Sequence, residues 1–337
     1  MRKIVFSCLT IFLALVSVMI LSIPQPVMEA VKTESTATVG GNYLLLGLDE
    51  AAGNTDAILL VHYDNKNGLV CMQLPRDTYL SSGRKNAKIN GIFASCLSRG
   101  ETEAEALRAT ATEISEALGV HFAGAAALHF SAVETIVDAL DGVPLTVPFA
   151  MQYDDAAQGL HIRLEPGETV LSGKEAVQFL RYRTGYTEGD LGRTDMQKVF
   201  LAALFTRAAE KMTPLSLISL TTRMAGHMQI SVDMHALFRV LTSMYENRDR
   251  LDTRFLTAPG AAILENGESG ISYYVLNRAA MQSALVSCAF ADESHFFDAQ
   301  ARFCKDNLHF RDVYYAGGYV ARIYTMEQLK NMMIKKE

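Results

Sequence analysis

Three arginines and an aspartate crowd into Arg181-Tyr182-Arg183-Thr184-Gly185-Tyr186-Thr187-Glu188-Gly189-Asp190-Leu191-Gly192-Arg193, and Gln197 follows. Arginine is the side chain best suited to two-point recognition of phosphate or carboxylate. If Arg181 to Arg183 is extended, both guanidiniums point to one side. If a helix starts at Asp190, then Asp190, Arg193 and Gln197 share a stripe. Two elements can thus aim a cationic cluster at one place, which suits a multiply charged anion.

A second set of charges is acidic. Asp49 ends the apolar run Tyr43–Leu48, and Asp56 precedes the apolar run Ala57–Tyr63. Both runs read as buried strands, so the two carboxylates fall at one end of a sheet, on either side of a single loop. Paired carboxylates there suit a hard divalent cation, Mg2+ or Mn2+, completed by waters and phosphate oxygens. A third strand, Leu69–Leu74, carries Pro75-Arg76-Asp77 to its far end, and Lys88-Ile89-Asn90 adds a cation. Whether Arg76 reaches the same end as the aspartates depends on strand order. There is no Gly-rich phosphate loop and no zinc-type histidine spacing. His129, in an apolar run, reads as a core histidine, and Ser131 and Ser172 read as helix caps.

The elements that must position these residues alternate in type. Thr102 and Glu105 form a capping box for a helix that Gly119 stops. Ser131 with Glu134 is expected to cap a second helix. Ser172 with Glu175 caps a third, running into Arg181, and a long helix starts at Asp190. Short strands are expected at Ala127–Phe130 and Val143–Val147. This mixture indicates an α/β or α+β sandwich. With 337 residues, 49% of them hydrophobic, the chain can bury a large core, and its net charge of −6 argues against sequence-independent nucleic-acid binding. Residues 1–3 form a basic cytoplasmic flank. The uncharged run Ile4–Ile23 is long enough to span a bilayer, at about 1.5 Å per residue, and reads as an uncleaved signal anchor that leaves the body outside the cell. Residues 24–40 read as a stalk, 41–290 as the main domain and 291–337 as a C-terminal extension of unassigned structure. Cys288 and Cys304 are a possible pair.

The ordered series Leu44-Leu45-Leu46-Gly47-Leu48-Asp49, Thr55-Asp56, Leu74-Pro75-Arg76-Asp77-Thr78, Lys88-Ile89-Asn90, Val137-Asp138-Ala139-Leu140-Asp141-Gly142-Val143, Leu171-Ser172-Gly173-Lys174-Glu175-Ala176, Arg181-Tyr182-Arg183 and Asp190 through Arg193 to Gln197 resembles the LytR-CpsA-Psr family of cell-wall enzymes. The resemblance implies an α-β-α sandwich with a central mixed β-sheet and a hydrophobic lipid pocket. It implies transfer of an anionic glycopolymer from a polyprenyl-pyrophosphate carrier to peptidoglycan, outside the membrane. It assigns metal binding to Asp49 and Asp56, and pyrophosphate binding to Arg76, Lys88, Arg181, Arg183, Arg193 and Gln197. Asp77 and Asp190 are its acidic members. With Arg76 they form the expected catalytic set, and either Asp77 or Asp56 could take the proton. Asn54 and Met196 stand where the family commonly has arginine. These departures admit a second function, an impaired paralogue that binds polyprenyl phosphates as a scaffold or regulator. A third possibility is hydrolysis of the pyrophosphate.

Overall fold

The computed structural model describes residues 39–49, 53–80, 88–156, 159–186, 190–211, 226–233, 251–264, 272–291 and 323–334, with scattered positions between 220 and 247. The apolar run Ile4–Ile23, the stalk to residue 38 and Cys304 lie outside the described residues. Among the described residues, no helix is long and apolar enough to cross a membrane.

The core of the fold is a seven-stranded mixed sheet in the order β13-β10-β3-β2-β1-β4-β9. Its strands are β1 (Gly40–Leu48), β2 (Thr55–Asp64), β3 (Gly68–Leu74), β4 (Gly124–His129), β9 (Met228–Val232), β10 (Thr253–Thr257) and β13 (Ile323–Thr325). β2 is antiparallel to both β1 and β3, while β4 is parallel to β1 and β10 is parallel to β3. The carboxyl ends of β1, β3, β4 and β10 therefore meet at one edge, where β2 begins. In open α/β sheets the crevice outside the carboxyl ends of the strands is where ligands bind. Two smaller strand pairs, β5 (Val143–Val147) with β8 (Gly167–Leu171) and β6 (Met151–Asp155) with β7 (Leu160–Leu164), form sheets of their own. The predicted strand at Val143–Val147 is thus real but outside the central sheet. The last two-stranded sheet pairs β11 (Gly260–Leu264) with β12 (Ser272–Leu276).

Side-chain alternation splits the sheet into two buried faces. Leu44, Leu46, Leu48, Ile58, Leu60, Val70 and Met72 pack on α1 (Gly91–Ser98), α2 (Glu103–Leu118) and α6 (Arg278–Ser287). Tyr43, Leu59, Val61, Tyr63 and Cys71 face the other way, toward α5 (Asp190–Lys211). α3 (Phe130–Ala139), α4 (Gly173–Arg181) and α5 enclose a further core with the small strand pairs. α7 (Met326–Ile334) follows β13 and adds Leu329 to the core that α5 covers.

The caps fall mostly where the sequence puts them. Thr102 and Glu105 form a complete capping box for α2, which ends on Gly119 in the left-handed region at φ 66°. Ser172 and Glu175 do the same for α4. Ser131 does not cap α3: the helix begins at Phe130, with His129 at the cap position, and the Ser131 hydroxyl bonds His227 Nδ1 at 3.0 Å. His129 is not a core histidine either. It lies half-buried at the end of β4, 3.2 Å from a Glu103 carboxylate oxygen. Cys288 is a buried free thiol at the C-cap of α6.

Candidate active site

The two aspartates reach the edge by different means. Asp49 simply follows β1, and its loop closes by backbone bonds from Asp49 N–H to Asn54 O and from Gly53 N–H to Asp49 O, both 2.9 Å. Asp56 depends on an irregularity. Gly47 pairs with Ala57, but Leu48 pairs with Thr55, so Asp56 is the extra residue of a β-bulge. Strict alternation would send Asp56 to the face opposite Ala57 and Leu59. The bulge turns it onto the same face, where Asp56, Ala57 and Leu59 line one cavity.

β3 does end at the same edge as Asp49, which settles what the sequence left open. The turn after it is closed by Thr78, whose N–H and hydroxyl donate to Pro75 O at 2.9 and 2.6 Å. Asn90 N–H donates to Arg76 O at 3.2 Å, and Tyr274 N–H to Asp77 O at 2.8 Å. So fixed, Arg76 Nη1 donates to Asp56 Oδ1 at 2.7 Å, and Lys88 Nζ donates to Asp77 Oδ1 at 2.8 Å. Arg76 is neither a surface residue nor paired mainly with its neighbour: its Nε is 3.9 Å from Asp77 Oδ2. Lys88 also lies 5.7 Å from the ring centre of Tyr273.

The arginine segment is not extended throughout. Arg181 is the last residue of α4, and the chain turns extended only at Tyr182, at φ −64° and ψ 135°. Tyr182 is buried and packs on Tyr186 and Phe149, so the residues on either side of it are held at the rim. Arg181 Nη2 lies 3.7 Å from Asp49 Oδ1, and Arg183 Nη2 lies 3.7 Å from Asp56 Oδ2. The two arginines thus meet one aspartate each, by a helix end and an extended turn rather than by strand alternation. Asp56 Oδ2 is buried and accepts no hydrogen bond.

α4 is itself clamped at its start. Gly173 N–H donates to Asp138 Oδ1 at 2.8 Å, and a Cβ on Gly173 would stand 2.6 Å from Glu134 O. The Asp138 and Ser172-Gly173 motifs therefore act on the site from a distance, by fixing the helix whose last residue is Arg181.

α5 brings Arg193 and Gln197 to one buried face, as their spacing predicts. Arg193 acts electrostatically on Tyr186, whose phenol is pushed well above its ordinary range by burial, helped by Tyr182 and opposed by Arg193. Gln197 accepts a hydrogen bond from Gln73 Nε2 and donates to Leu180 O at 3.3 Å. Asp190 is the first residue of α5, and its side chain lies outside the described residues. Sequence reasoning missed Gln73, whose signal was a polar residue inside an apolar strand. It also missed Lys198, which is buried against Asp195 at 2.6 Å and donates to Thr257.

Behind the charges lies an apolar cavity of about 190 Å³ between β1, β2, α3 and α5. Leu45, Leu128, Ile136, Leu204 and Phe205 are among its walls, and Asp56, Gln73 and Gln197 are its polar members. The paired Gly47 and Ala57 lie on the sheet side of the cavity. A Cβ on Gly47 would stand 3.1 Å from that of Ala57, so small residues at this pair leave the space open. Phe130 joins the two regions, lining the cavity while Arg181 stacks 5.3 Å from its ring centre.

The sequence model of the LytR_cpsA_psr family matches residues 22–287. The chain belongs to this family. Among curated LytR-CpsA-Psr relatives, a polyisoprenyl-teichoic acid–peptidoglycan teichoic acid transferase, TagU of Oceanobacillus iheyensis, is 27% identical over 70% of this chain and 71% of its own length. The transferase TagV of Bacillus subtilis is 28% identical over 49% of this chain and 42% of its own. The fold is similar to that of protein gbs0355 from Streptococcus agalactiae, with a TM-score of 0.60 at 20% identity over 74% of this chain and 86% of that one.

Proposed function

We propose that the protein transfers an anionic glycopolymer, teichoic-acid-like or capsular, from a polyprenyl-pyrophosphate carrier to peptidoglycan. The observation that carries this reading is the junction at Asp56. The same residue lines the apolar cavity and meets Arg76 and Arg183. An amphiphile with a long apolar tail and a multiply charged head fits both halves at once. The named transferase relatives support the reading.

In this reaction the acceptor sugar hydroxyl attacks the phosphorus that carries the glycan. The bond between that phosphorus and the bridging oxygen breaks, and polyprenyl phosphate leaves. The hydroxyl proton passes to a carboxylate, for which Asp77 is suited by its place at the partly exposed rim on Lys88. Arg76, Arg181, Arg183, Lys88 and Arg193 offset the charge of the pyrophosphate. Phosphoryl transfer is catalysed chiefly by such positioning and charge neutralisation. Asp49 and Asp56 fit a divalent cation, Mg2+ or Mn2+, because both are buried carboxylates at one edge and Asp56 Oδ2 is an acceptor without a hydrogen bond. A cation there would add charge stabilisation at the phosphate oxygens. The run Ile4–Ile23 would anchor the chain, with the catalytic domain outside.

The test is turnover by the full chain in detergent, given a polyprenyl-pyrophosphate-linked oligosaccharide, a divalent cation and peptidoglycan. Release of polyprenyl phosphate matched by glycan on peptidoglycan, and lost in Asp56→Ala, is expected. Binding without turnover would favour a scaffold. Turnover that ignores peptidoglycan would favour hydrolysis.

A further inference from the structure

Arg181 and Arg183 also line a second, smaller cleft of about 70 Å³, completed by Tyr153, Leu160 and Thr184. It shares no lining residue with the apolar cavity. Each arginine meets one of the two aspartates, and Asp56 lines the apolar cavity. Through the contact of Arg183 with Asp56, two spaces of different character are neighbours. One is apolar. The other has an aromatic ring, two guanidiniums and a hydroxyl.

The second space is built rather than incidental. Tyr153 lies on β6 and remains 37% exposed, one of few large hydrophobic side chains left in solvent among the described residues. Its strand pairs with β7, where Arg163 Nη1 donates to Tyr153 O at 3.3 Å. Arg163 N–H donates to Gln178 Oε1 on α4 at 2.9 Å. Both walls of the cleft thus hang on one helix: the hairpin through Gln178 and the cationic wall through Arg181 at its end. An exposed aromatic face beside fixed donors is a surface on which a ring with apolar C–H faces and a polar rim can stack.

We propose that this cleft is a carbohydrate subsite, in which a sugar ring stacks on Tyr153 and its oxygens accept hydrogen bonds from Arg181, Arg183 and Thr184. The inference rests on the transferase reading and gives it a second half. The lipid occupies the apolar cavity, the pyrophosphate spans the arginines, and a sugar takes the cleft. That sugar is either the first residue of the donor glycan or the acceptor residue of peptidoglycan. The chemistry of recognition is the same for both.

Three probes separate the possibilities, each titrated by ligand-observed NMR against the full chain in detergent. They are a short prenyl diphosphate without sugar, the same prenyl diphosphate carrying one sugar, and a lipid-free peptidoglycan tetrasaccharide. Tyr153→Ala is expected to weaken one of the two sugar-bearing probes by roughly five- to tenfold, the loss of one aromatic stacking contact. Tyr153→Phe should stay within about twofold of wild type, since the ring face is kept. The sugar-free probe should bind all three proteins alike. Whichever sugar probe responds identifies the occupant. If neither responds, or if Tyr153→Ala weakens the sugar-free probe equally, the subsite is refuted. If wild type fails to bind even the sugar-free prenyl diphosphate, the transferase reading falls, and the subsite falls with it.

Discussion

Ala57→Leu should make the protein more stable and less able to bind the proposed polyprenyl lipid. Ala57 is paired with Gly47 and faces a cavity of about 190 Å³. Leucine adds three carbons there. At about 0.8 kcal/mol per buried methylene, filling the space stabilises the fold by up to about 2 kcal/mol. That corresponds to a rise in Tm of several degrees, read by scanning calorimetry. The same three carbons exclude a matching length of prenyl chain. Losing burial of about three methylenes costs the ligand roughly 2.4 kcal/mol, or a Kd about 50-fold higher. The chain has no tryptophan, so the binding assay uses a dansyl-labelled polyprenyl phosphate. Opposite signs for stability and affinity are the signature of a cavity kept open for a ligand. A variant that is destabilised and still binds lipid like wild type would refute the reasoning.

Other predictions follow from particular contacts. Arg183 is partly exposed and 3.7 Å from Asp56, so Arg183→Ala should change thermal stability by less than about 0.5 kcal/mol, while kcat/KM for transfer falls at least about tenfold. Gln197→Leu leaves the buried Gln73 amide without its acceptor and should cost about 1–3 kcal/mol in urea unfolding, most of it recovered in the double variant with Gln73→Leu. Burial pushes the Tyr43 phenol up to about 12, with Arg239 opposing and Asp233 adding. An unfolded tyrosine titrates near 10, so this raised folded value gives stability that is full below about pH 10 and is lost as pH rises through about 12, by roughly 2–3 kcal/mol. Tyr43→Phe should flatten that alkaline limb of the Tm–pH curve.

The parts of the site that could be read from sequence were those set by local pattern. An apolar run ending in Asp49 and another preceded by Asp56 fix an antiparallel pair with both carboxylates at one end, and the structure has that pair. The boxes at Thr102 and Ser172 were equally legible, because capping is decided within four residues. What could not be read depends on long-range pairing. Arg76 reaches Asp56 because β3 lies beside β2, a choice of strand order made by the whole sheet. Asp56 faces the cavity because of a bulge, which breaks the alternation that a sequence pattern assumes. Arg181 looked like a strand residue, but the helix that Ser172 caps runs one residue further than the arginine pattern suggests. Gln73 stood out only as a polar residue in an apolar strand, and its role lies in its partner Gln197, 124 positions away.

The central claim is that a polyprenyl chain lies in the apolar cavity with its phosphates on the arginine cluster. The most direct measurement is photocrosslinking of the full chain with a polyprenyl phosphate carrying a diazirine near the end of its tail, followed by peptide mass spectrometry. The geometry predicts adducts on the cavity walls, at Leu45, Leu128, Leu204 or Phe205, competed away by unlabelled polyprenyl phosphate and lost in Ala57→Leu. Adducts confined to surface residues such as Val170 or Met332, and unchanged by Ala57→Leu, would contradict it.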